Sequence, residues 1–430
     1  MHMKELYNKR IDEKIFYGKS KNDLDVYFMP KKGYTKKHAI FTTNYGSMDS
    51  EFVPIGQEKA ISVPDGIAHF LEHKLFEEPE ENIFDKFSKL GADVNAYTSF
   101  NRTAYLFYCT EHFYQNLELL IRFVQNPYFT DENVEKEKGI IAQEIKMYED
   151  NSNWKAYFNL LKSMYFQHPI RNDIAGTIES ISNISKELLY TAYNTFYHPK
   201  NMVLFIVGDL SFNDIMETVN NTEKASKDNV KQIERVFPEE PSQVKEKFIE
   251  EKMHTSSPLF TIGFKDINLG QKGEEMIIKN AHTNIVLEIL FGSSSRFYNE
   301  LYEEGLINSS FGSFYTGNPT YGYSVISGES KDPKLAFDKI VQLIKRPVDQ
   351  ILKKDDFHRL KNKTIGEFLM ALNSMDFIAG NFIELYFDDL LIIDYLDLME
   401  KIQYDEVIER FENHITEDNL SLSIINPLES

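Results

Sequence analysis

The chain has little cysteine and tryptophan and no long hydrophobic runs. Its 430 residues include one Cys and one Trp. A single cysteine cannot form a disulfide within the chain, and such usage is typical of a reducing compartment. No stretch approaches the roughly 18 consecutive apolar residues that predict a membrane-spanning helix, and the charged first ten residues lack the apolar core of a signal peptide. We therefore expect a cytoplasmic protein that does not span a membrane.

Positive charge is scarce as well. The 47 Lys and Arg residues are outnumbered by 67 Asp and Glu residues, which gives a formal net charge of −20. Such an acidic chain is repelled by nucleic acid and by anionic membrane surfaces, so neither is expected as a partner. Peptides, and basic peptides in particular, remain compatible with this charge.

The length predicts two domains, because single hydrophobic cores stop growing at about 250 to 300 residues. The composition becomes polar and proline-bearing after about residue 220. We therefore predict an N-terminal domain at 1–235, a linker at 236–257 and a C-terminal domain at 258–430. Clusters of strand patterns and helix patterns predict the α+β class. Near the end, an amphipathic pattern predicts a long helix over 356–386.

One short stretch, 66–76, carries the chemistry. Its apolar residues recur at helical intervals, and it contains His69, Glu72 and His73 in the pattern H-x-x-E-H. At roughly 100° per residue, the two histidines lie about 40° apart on one face of a helix, a spacing that lets both bind one ion. Glu72 lies about 60° to one side, which suits a general base better than a third ligand. The sequence therefore predicts half of a zinc site.

The alternative is that this pair of histidines is accidental. From composition alone, a chance H-x-x-E-H arises on the order of once in tens of such chains. The apolar flanks favour a partly buried helix, in which an accidental pair of histidines and a carboxylate is harder to accommodate.

A third ligand is needed, and the segment 130–150 offers the best one. Thr130 is a plausible helix N-cap, and Glu144 adjoins the apolar stripe of the predicted helix. Glu137 lies two turns earlier on the same face, where it could orient a histidine or tune the site. The one alternative ligand of another type is Cys109, although its apolar surroundings favour a buried strand residue.

These motifs together resemble a known family. The inverted H-x-x-E-H, followed 71 residues after His73 by Glu144 in the pattern E-K-G-I-I-x-x-E-I, is similar to the inverzincin zinc peptidases of the pitrilysin and insulinase type. The resemblance is to the small two-domain members, such as the mitochondrial processing peptidase subunits and their bacterial relatives. Further matches lie in family order at 90–99, 175–179, 197–204 and 207–209.

The resemblance implies a fold and a cofactor. It implies two homologous α/β-sandwich domains, each an antiparallel sheet with helices packed on it, which together form half of a clamshell. One Zn²⁺ per chain is expected at His69, His73 and Glu144, with Glu72 and Glu137 completing the catalytic set. A faint echo of the first half around 287–311 lacks both histidines, so the C-terminal domain is not expected to bind metal.

The resemblance also implies how substrate binds. In the family an edge strand receives the peptide as an added strand, and the matching positions here are Asn95, Ala96 and Tyr97. An ordinary strand with Asn95 in a bulge is the alternative for the same residues.

The chain departs from the family pattern in its second half. Active members and their partners carry an Arg and a Tyr there that hold the substrate, and the matching positions are Tyr302 and Asn308. We therefore expect a heterodimer with a homologous, catalytically inactive subunit, with a homodimer as second choice. Arg296 is close enough in sequence to replace the missing pair.

The expected function is a zinc-dependent metalloendopeptidase that cleaves unfolded peptides or leader segments inside a chamber formed with a second subunit. The alternative is a non-catalytic assembly or peptide-binding subunit of a hetero-oligomeric complex. A dedicated maturation protease for one modified peptide and a general peptidase are not separated by the sequence.

Overall fold

The structure is a computed structural model that describes residues 3–79, 82–224 and 233–428. The chain forms two compact units, each assembled from separate segments. The first unit comprises Met1–Ile145, Asp173–Val236 and Ala371–Ile393, and the second comprises Lys146–Asn172, Phe237–Met370 and Asp394–Ser430.

The elements are numbered in chain order. The strands are β1 (Lys4–Asn8), β2 (Glu13–Lys19), β3 (Asp25–Pro30), β4 (Lys37–Thr43), β5 (Glu51–Phe52), β6 (Ile61–Ser62), β7 (Ala92–Thr98), β8 (Thr103–Cys109), β9 (Met202–Gly208), β10 (Phe248–Met253), β11 (Leu259–Lys265), β12 (Gly312–Gly317), β13 (Gly322–Glu329) and β14 (Leu420–Pro427). The α-helices are α1 (Ile67–Leu75), α2 (Ile83–Lys89), α3 (Phe113–Val124), α4 (Asp131–Glu149), α5 (Ser152–Met164), α6 (Ile178–Ser182), α7 (Lys186–Phe196), α8 (Phe212–Thr222), α9 (Gly273–Phe291), α10 (Arg296–Glu303), α11 (Pro333–Ile344), α12 (Val348–Ile351), α13 (Lys354–Ala371), α14 (Met375–Tyr386), α15 (Tyr395–Lys401) and α16 (Tyr404–His414).

The first unit is built on a seven-stranded sheet in the order β1-β2-β3-β9-β4-β8-β7. Neighbouring strands are antiparallel except β3 and β9, which run parallel. The central strand β9 is an apolar run that is buried along its whole length, as expected of a strand covered on both faces. The hairpin of β7 and β8 places β7 at an edge of the sheet, and helix α1 packs against it.

A segment from late in the chain completes this unit. Helix α14 packs on β9 and β4, and the ring of Phe382 stacks on that of Phe205 with 3.8 Å between centroids. Its neighbour Tyr386 donates a hydrogen bond to the carboxylate of Asp25 at 2.8 Å. Residues 371–393 are therefore part of the core of the first unit.

The second unit repeats the strand arrangement. Its five-stranded sheet has the order β10-β14-β11-β13-β12, with β10 and β14 parallel and the other neighbours antiparallel. This order matches that of β3, β9, β4, β8 and β7 in the first unit, which supports the predicted duplication. Helix α9 contributes several residues to its apolar core, among them Ile285, Val286 and Leu290, and α5 packs on β11 and β14.

The predicted α+β class of two domains, each with helices packed on a sheet, is confirmed. One pair of parallel strands interrupts each otherwise antiparallel sheet. The division into continuous domains at 1–235 and 258–430 stays a prediction. Each compact unit combines segments from separate parts of the chain, and the predicted linker 236–257 includes β10 of the second unit. The single helix predicted over 356–386 is wrong: α13 ends at Ala371, and Ser374 accepts a hydrogen bond from the amide of Phe377 to begin α14.

Candidate metal centre

Two glycines fix the start of helix α1, which begins at Ile67. Gly66 precedes the helix with a φ of 90°, a left-handed conformation that favours glycine. A Cβ atom on Gly66 would lie 2.4 Å from the carbonyl oxygen of Ala175, and one on Gly176 would lie 2.4 Å from that of Asp65. The two loops therefore approach each other more closely than side chains allow, and this contact sets the position of α1.

Helix α4 begins as the sequence predicts. The hydroxyl of Thr130 accepts a hydrogen bond from the amide of Asn133 at 3.1 Å, and the Asn133 side chain accepts one from the amide of Thr130 at 2.9 Å. This reciprocal pair satisfies two of the amides left open at a helix N-terminus. The cap fixes the first turn of the helix that carries Glu137 and Glu144.

The two helices bring three potential ligands together. His69 Nε2 lies 3.6 Å from Glu144 Oε1, and His73 Nε2 lies 3.5 Å from Glu144 Oε2. The imidazole centroids are 4.5 Å apart, and one ligand atom from each residue lies within 4.8 Å of the other two. Ligands bound tetrahedrally to zinc at about 2.1 Å lie about 3.4 Å from each other. The donor set and its spacing therefore fit a zinc ion.

Glu137 contacts the side of the His73 ring that faces away from Glu144. His73 Nδ1 lies 3.1 Å from Glu137 Oε1, so a proton on Nδ1 is donated to that carboxylate and Nε2 is left with its lone pair facing Glu144. The ammonium of Lys74, which is fully buried, lies 3.7 Å from Glu137 Oε2 and is held by Glu77 and by the carbonyl of Asn133. Both oxygens of the Glu137 carboxylate thus face a partner.

The charges around the histidines favour a cation. Burial lowers the pKa of His73, but the hydrogen bond to Glu137 and the charges of Glu72 and Glu144 outweigh it, and the net pKa is raised. Burial raises the pKa of Glu137, but the hydrogen bond from His73 and the charge of Lys74 bring it below the ordinary value. Carboxylates that favour an imidazolium also favour a bound metal cation.

Glu72 is buried beside the two histidines and has a defined orientation. The hydroxyl of Thr98 donates a hydrogen bond to Glu72 Oε2 at 2.5 Å. Burial raises the pKa of the Glu72 carboxyl, while the neighbouring His69 and the Thr98 hydroxyl oppose the rise. A raised pKa is the direction that suits a carboxylate acting as general base near neutral pH.

The predicted substrate residues lie on the edge strand β7. The amide of Ser99 donates to the carbonyl of Arg102 at 2.8 Å, so the amides two and four residues earlier, those of Tyr97 and Asn95, also point towards β8. The amide of Ala96 points away from β8 and instead donates to the Asn95 side chain at 2.9 Å. Ala96 therefore presents its main-chain groups at the free edge of the sheet, and Asn95 occupies no bulge in the register of β7 and β8.

The remaining candidates lie elsewhere. Cys109 is buried in β8 and does not belong to the group of potential ligands. In the second unit, Tyr302 stacks on Tyr298, and the Asn308 side chain donates to the carboxylate of Glu329 at 2.8 Å. Arg296 is the first residue of α10. His69, His73 and Glu144 form the one group of three potential metal ligands within the described ranges of the chain.

Two residues of the site escaped the sequence analysis. Thr98 contacts Glu72 but lies 26 positions away, and only its place in the N-A-Y-T run beside the predicted substrate residues hinted at a role. Lys74 is unusual for a buried helix, because lysine is almost never fully buried unless paired. A lysine on the apolar side of the predicted α1 was a signal of a buried carboxylate partner.

Within the part of the chain that the structure describes, none of the helices combines the length and the apolar character needed to span a bilayer.

Comparison with known proteins gives concordant matches over nearly the whole chain. Residues 52–178 match the family model described as insulinase (peptidase family M16), and residues 183–364 match the model described as peptidase M16 inactive domain. The uncharacterized zinc protease YmfH of Bacillus subtilis (strain 168) is 43% identical over 426 residues, which cover 99% of both chains.

Solved structures agree with these matches. An M16-like peptidase from Alicyclobacillus acidocaldarius superposes with a TM-score of 0.93 at 35% identity, covering 100% of this chain and 99% of its own. A protease from Helicobacter pylori superposes with a TM-score of 0.82 at 18% identity, covering 96% of this chain and 100% of its own, and shows the same fold.

Proposed function

Because this chain belongs to peptidase family M16, the insulinase family, we propose that it is a zinc-dependent metalloendopeptidase that cleaves unfolded peptides or leader segments. The observation that carries the proposal is the convergence of His69, His73 and Glu144, with the buried Glu72 beside them. A non-catalytic relative would have no need for a buried carboxylate at this position.

The metal would be held by His69 and His73 from α1 and by Glu144 from α4. When bound, zinc supplies a Lewis acid that polarises a carbonyl and lowers the pKa of water towards about 7. Glu137 keeps His73 in the tautomer whose Nε2 can act as a ligand. Three protein ligands leave a coordination position open, which is typical of catalytic rather than structural zinc sites.

Glu72 performs the proton transfers in this proposal. Its carboxylate accepts a proton from the attacking water as the oxygen bonds to the scissile carbonyl carbon. It then delivers that proton to the nitrogen of the peptide bond as the carbon–nitrogen bond breaks, so the products are an amine and a carboxylic acid, and the acid releases the second proton of the water to solvent or to the amine. Burial raises the pKa of Glu72, which makes its carboxylate a stronger base for the first transfer.

The edge strand β7 would hold the substrate. An extended peptide that pairs with the outward main-chain groups of Ala96 is recognised by its backbone, so unfolded peptides of varied sequence can bind. The Asn95 side chain, which accepts the amide proton of Ala96, would give way to a peptide carbonyl. The exposed Tyr97 ring would contact side chains of the bound peptide.

A second subunit is part of the proposal. Tyr302 and Asn308 stand where the family resemblance expects an Arg and a Tyr, so a homologous subunit carrying those two residues would complete the substrate site in a shared chamber. A heterodimer is therefore favoured over a homodimer, with Arg296 as the residue that could make a homodimer sufficient. A cytoplasmic location is proposed on the cysteine usage alone.

The test compares the wild type with Glu72→Gln. Both proteins are assayed for zinc content and for hydrolysis of a mixed peptide set, with and without a related subunit that carries the Arg and the Tyr. We expect Glu72→Gln to keep about one zinc per chain while turnover falls by about two or more orders of magnitude, as for loss of a general base.

The matched control is Glu132→Gln, an exposed glutamate in the first turn of α4, which should leave zinc content and turnover unchanged. Absence of turnover in the wild type with either partner arrangement, or equal turnover in Glu72→Gln, would contradict the peptidase proposal and leave a peptide-binding subunit in its place. Full activity of the purified chain alone as a homodimer would contradict the heterodimer.

A further inference from the structure

We propose that Thr98 is a positioning residue that aims the Glu72 carboxylate and links it to the bound peptide. The inference rests on the proposed peptidase function and deepens it. Thr98 is the last residue of the edge strand β7, and its side chain belongs to the inward-facing set of that strand rather than to the outward-facing set of Asn95 and Tyr97.

The direction of the hydrogen bond follows from the neighbouring hydroxyl. Thr98 Oγ1 has two possible acceptors, Glu72 Oε2 at 2.5 Å and Thr103 Oγ1 at 3.4 Å. The buried hydroxyl of Thr103 donates its own proton to the carbonyl of Tyr45 at 2.9 Å. Its oxygen can accept a proton, but at 3.4 Å it is much the poorer acceptor. Thr98 therefore donates to Glu72, and 2.5 Å is within the range of hydrogen bonds from a hydroxyl to an ionised carboxylate.

This bond gives the two carboxylate oxygens of Glu72 different roles. Oε2 is held by Thr98, so the carboxylate plane cannot rotate freely and Oε1 is left to accept the proton of the attacking water. Without the hydroxyl, rotation about the last torsion of Glu72 is limited only by packing, since that torsion has a broad energy profile. Thr98 thus restricts the general base to one productive orientation.

The main chain of Thr98 connects the same residue to the substrate edge. Amides alternate along β7, so the amide and carbonyl of Thr98, like those of Ala96, point away from β8. A peptide added to β7 can pair with these groups while the side chain holds Glu72. Thr98 then sets the distance between the bound peptide and the Glu72 carboxylate, and proton transfer depends on this distance.

The test uses two variants of Thr98 and a matched control. Thr98→Val removes the hydroxyl and keeps the shape, whereas Thr98→Ser keeps the hydroxyl. Thr42→Val is the control, because Thr42 is buried in β4 of the same sheet and its hydroxyl has no hydrogen-bond partner among the described residues. Each full-length chain is assayed for its unfolding midpoint, its zinc affinity, and kcat and KM with the peptide set and partner subunit of the Glu72→Gln experiment.

We expect Thr98→Val to lower kcat by roughly 10- to 100-fold, in line with the loss of a hydrogen bond to a charged group, with KM and zinc affinity within about threefold of the wild type. Thr98→Ser should restore most of kcat, and Thr42→Val should leave it unchanged. Equal kcat in Thr98→Val and wild type, or an equal loss in Thr98→Ser, would overturn the assignment.

A second readout needs no turnover. The infrared difference between a protein and its Glu72→Gln variant isolates the carboxylate band of Glu72. We expect this band to shift when Thr98→Val is introduced and to stay in place with Thr98→Ser and Thr42→Val; an unchanged band with Thr98→Val overturns the proposal. If the band shifts but the wild type lacks peptidase activity, the peptidase function fails while the hydrogen bond from Thr98 to Glu72 stands.

Discussion

His73 Nδ1 lies 3.1 Å from Glu137 Oε1, and the opposite nitrogen of the same ring faces Glu144 at 3.5 Å. The two glutamates are two turns apart on α4, so one helix both orients the imidazole and offers the third ligand. A shift of α4 relative to α1 would disturb both contacts together. The geometry of the candidate metal site and the packing of these two helices are therefore coupled.

Glu137→Gln should weaken zinc binding by about 10- to 100-fold, the usual effect of removing a group that orients a metal-bound histidine. The amide keeps the shape of the side chain but removes the charge that faces His73 and Lys74. Competition with a chelator of known affinity measures the effect. Glu135→Gln, at an exposed position of the same helix, is the control, and equal affinities for the two variants would contradict the assigned role.

Zinc should stabilise the folded chain. An ion that binds only the folded state adds about 2.7 kcal/mol to the free energy of unfolding at a concentration of 100 Kd. Denaturant titrations of the chelated protein, with and without zinc at that concentration, measure the difference. The increment should vanish when His69 and His73 are both replaced by Ala; an increment that persists would place the bound zinc elsewhere.

Ala96→Pro should reduce peptide hydrolysis without unfolding the hairpin. Proline lacks an amide proton, and the amide of Ala96 points to the free edge, where the sheet does not need it. We expect kcat/KM to fall about tenfold, equivalent to roughly 1.4 kcal/mol for a lost main-chain hydrogen bond.

Tyr97→Pro is the matched comparison for the edge strand, because the Tyr97 amide points towards β8. This variant should lose about 1–3 kcal/mol of stability, since it leaves a buried carbonyl of the ladder without its donor. If Ala96→Pro proves as destabilised as Tyr97→Pro, the assignment of outward and inward amides is wrong.

His414 should make the second unit sensitive to mild acid. Burial and the nearby charge of Arg410 lower the pKa of His414 from 6.5 to about 3, although Asp266 opposes this shift. The unfolded chain therefore binds a proton below pH 6.5 that the folded chain excludes, so the stabilisation is complete above pH 6.5 and is lost as the pH falls towards 3.

Denaturant titrations between about pH 6 and pH 4 test this. The unfolding free energy of the wild type should fall more steeply than that of His414→Gln, by about 1.4 kcal/mol per pH unit. The buried hydroxyl of Ser324, which lies 2.7 Å from His414 Nε2, can hydrogen-bond the glutamine amide. Parallel pH profiles for the two proteins would show that His414 is not the group that excludes the proton.

Local sequence signals were enough to predict the helices on which the candidate site is built. The i, i+4 spacing of His69 and His73 and the Thr130 cap of α4 each depend on a few consecutive residues, so periodicity and capping rules were enough to predict the helices on which the potential ligands lie. The distance between Glu144 and the histidines was beyond such rules. It depends on the packing of α1 and α4; the apolar stripe beside Glu144 made this residue a candidate, and the family resemblance supported the choice.

The fold details that the sequence missed are those that depend on distant partners. The amphipathic pattern over 356–386 continues through the break between α13 and α14, because both helices bury one apolar face, but they bury it in different units. Thr98 was missed for a similar reason, since an alternating strand pattern does not identify the carboxylate that an inward hydroxyl will meet. Gly66 and Gly176 are likewise explained only by the carbonyls that they approach.

The contribution of α14 to the first unit limits how this protein can be dissected. A fragment ending near residue 236 would retain every potential zinc ligand, yet it would leave the ring of Phe205 uncovered and Asp25 without the hydroxyl of Tyr386. Such a fragment should aggregate or bind zinc weakly. Adding residues 371–393 as a separate peptide should restore its solubility and its zinc binding. Fragment complementation, rather than truncation, is the appropriate route to an isolated first unit.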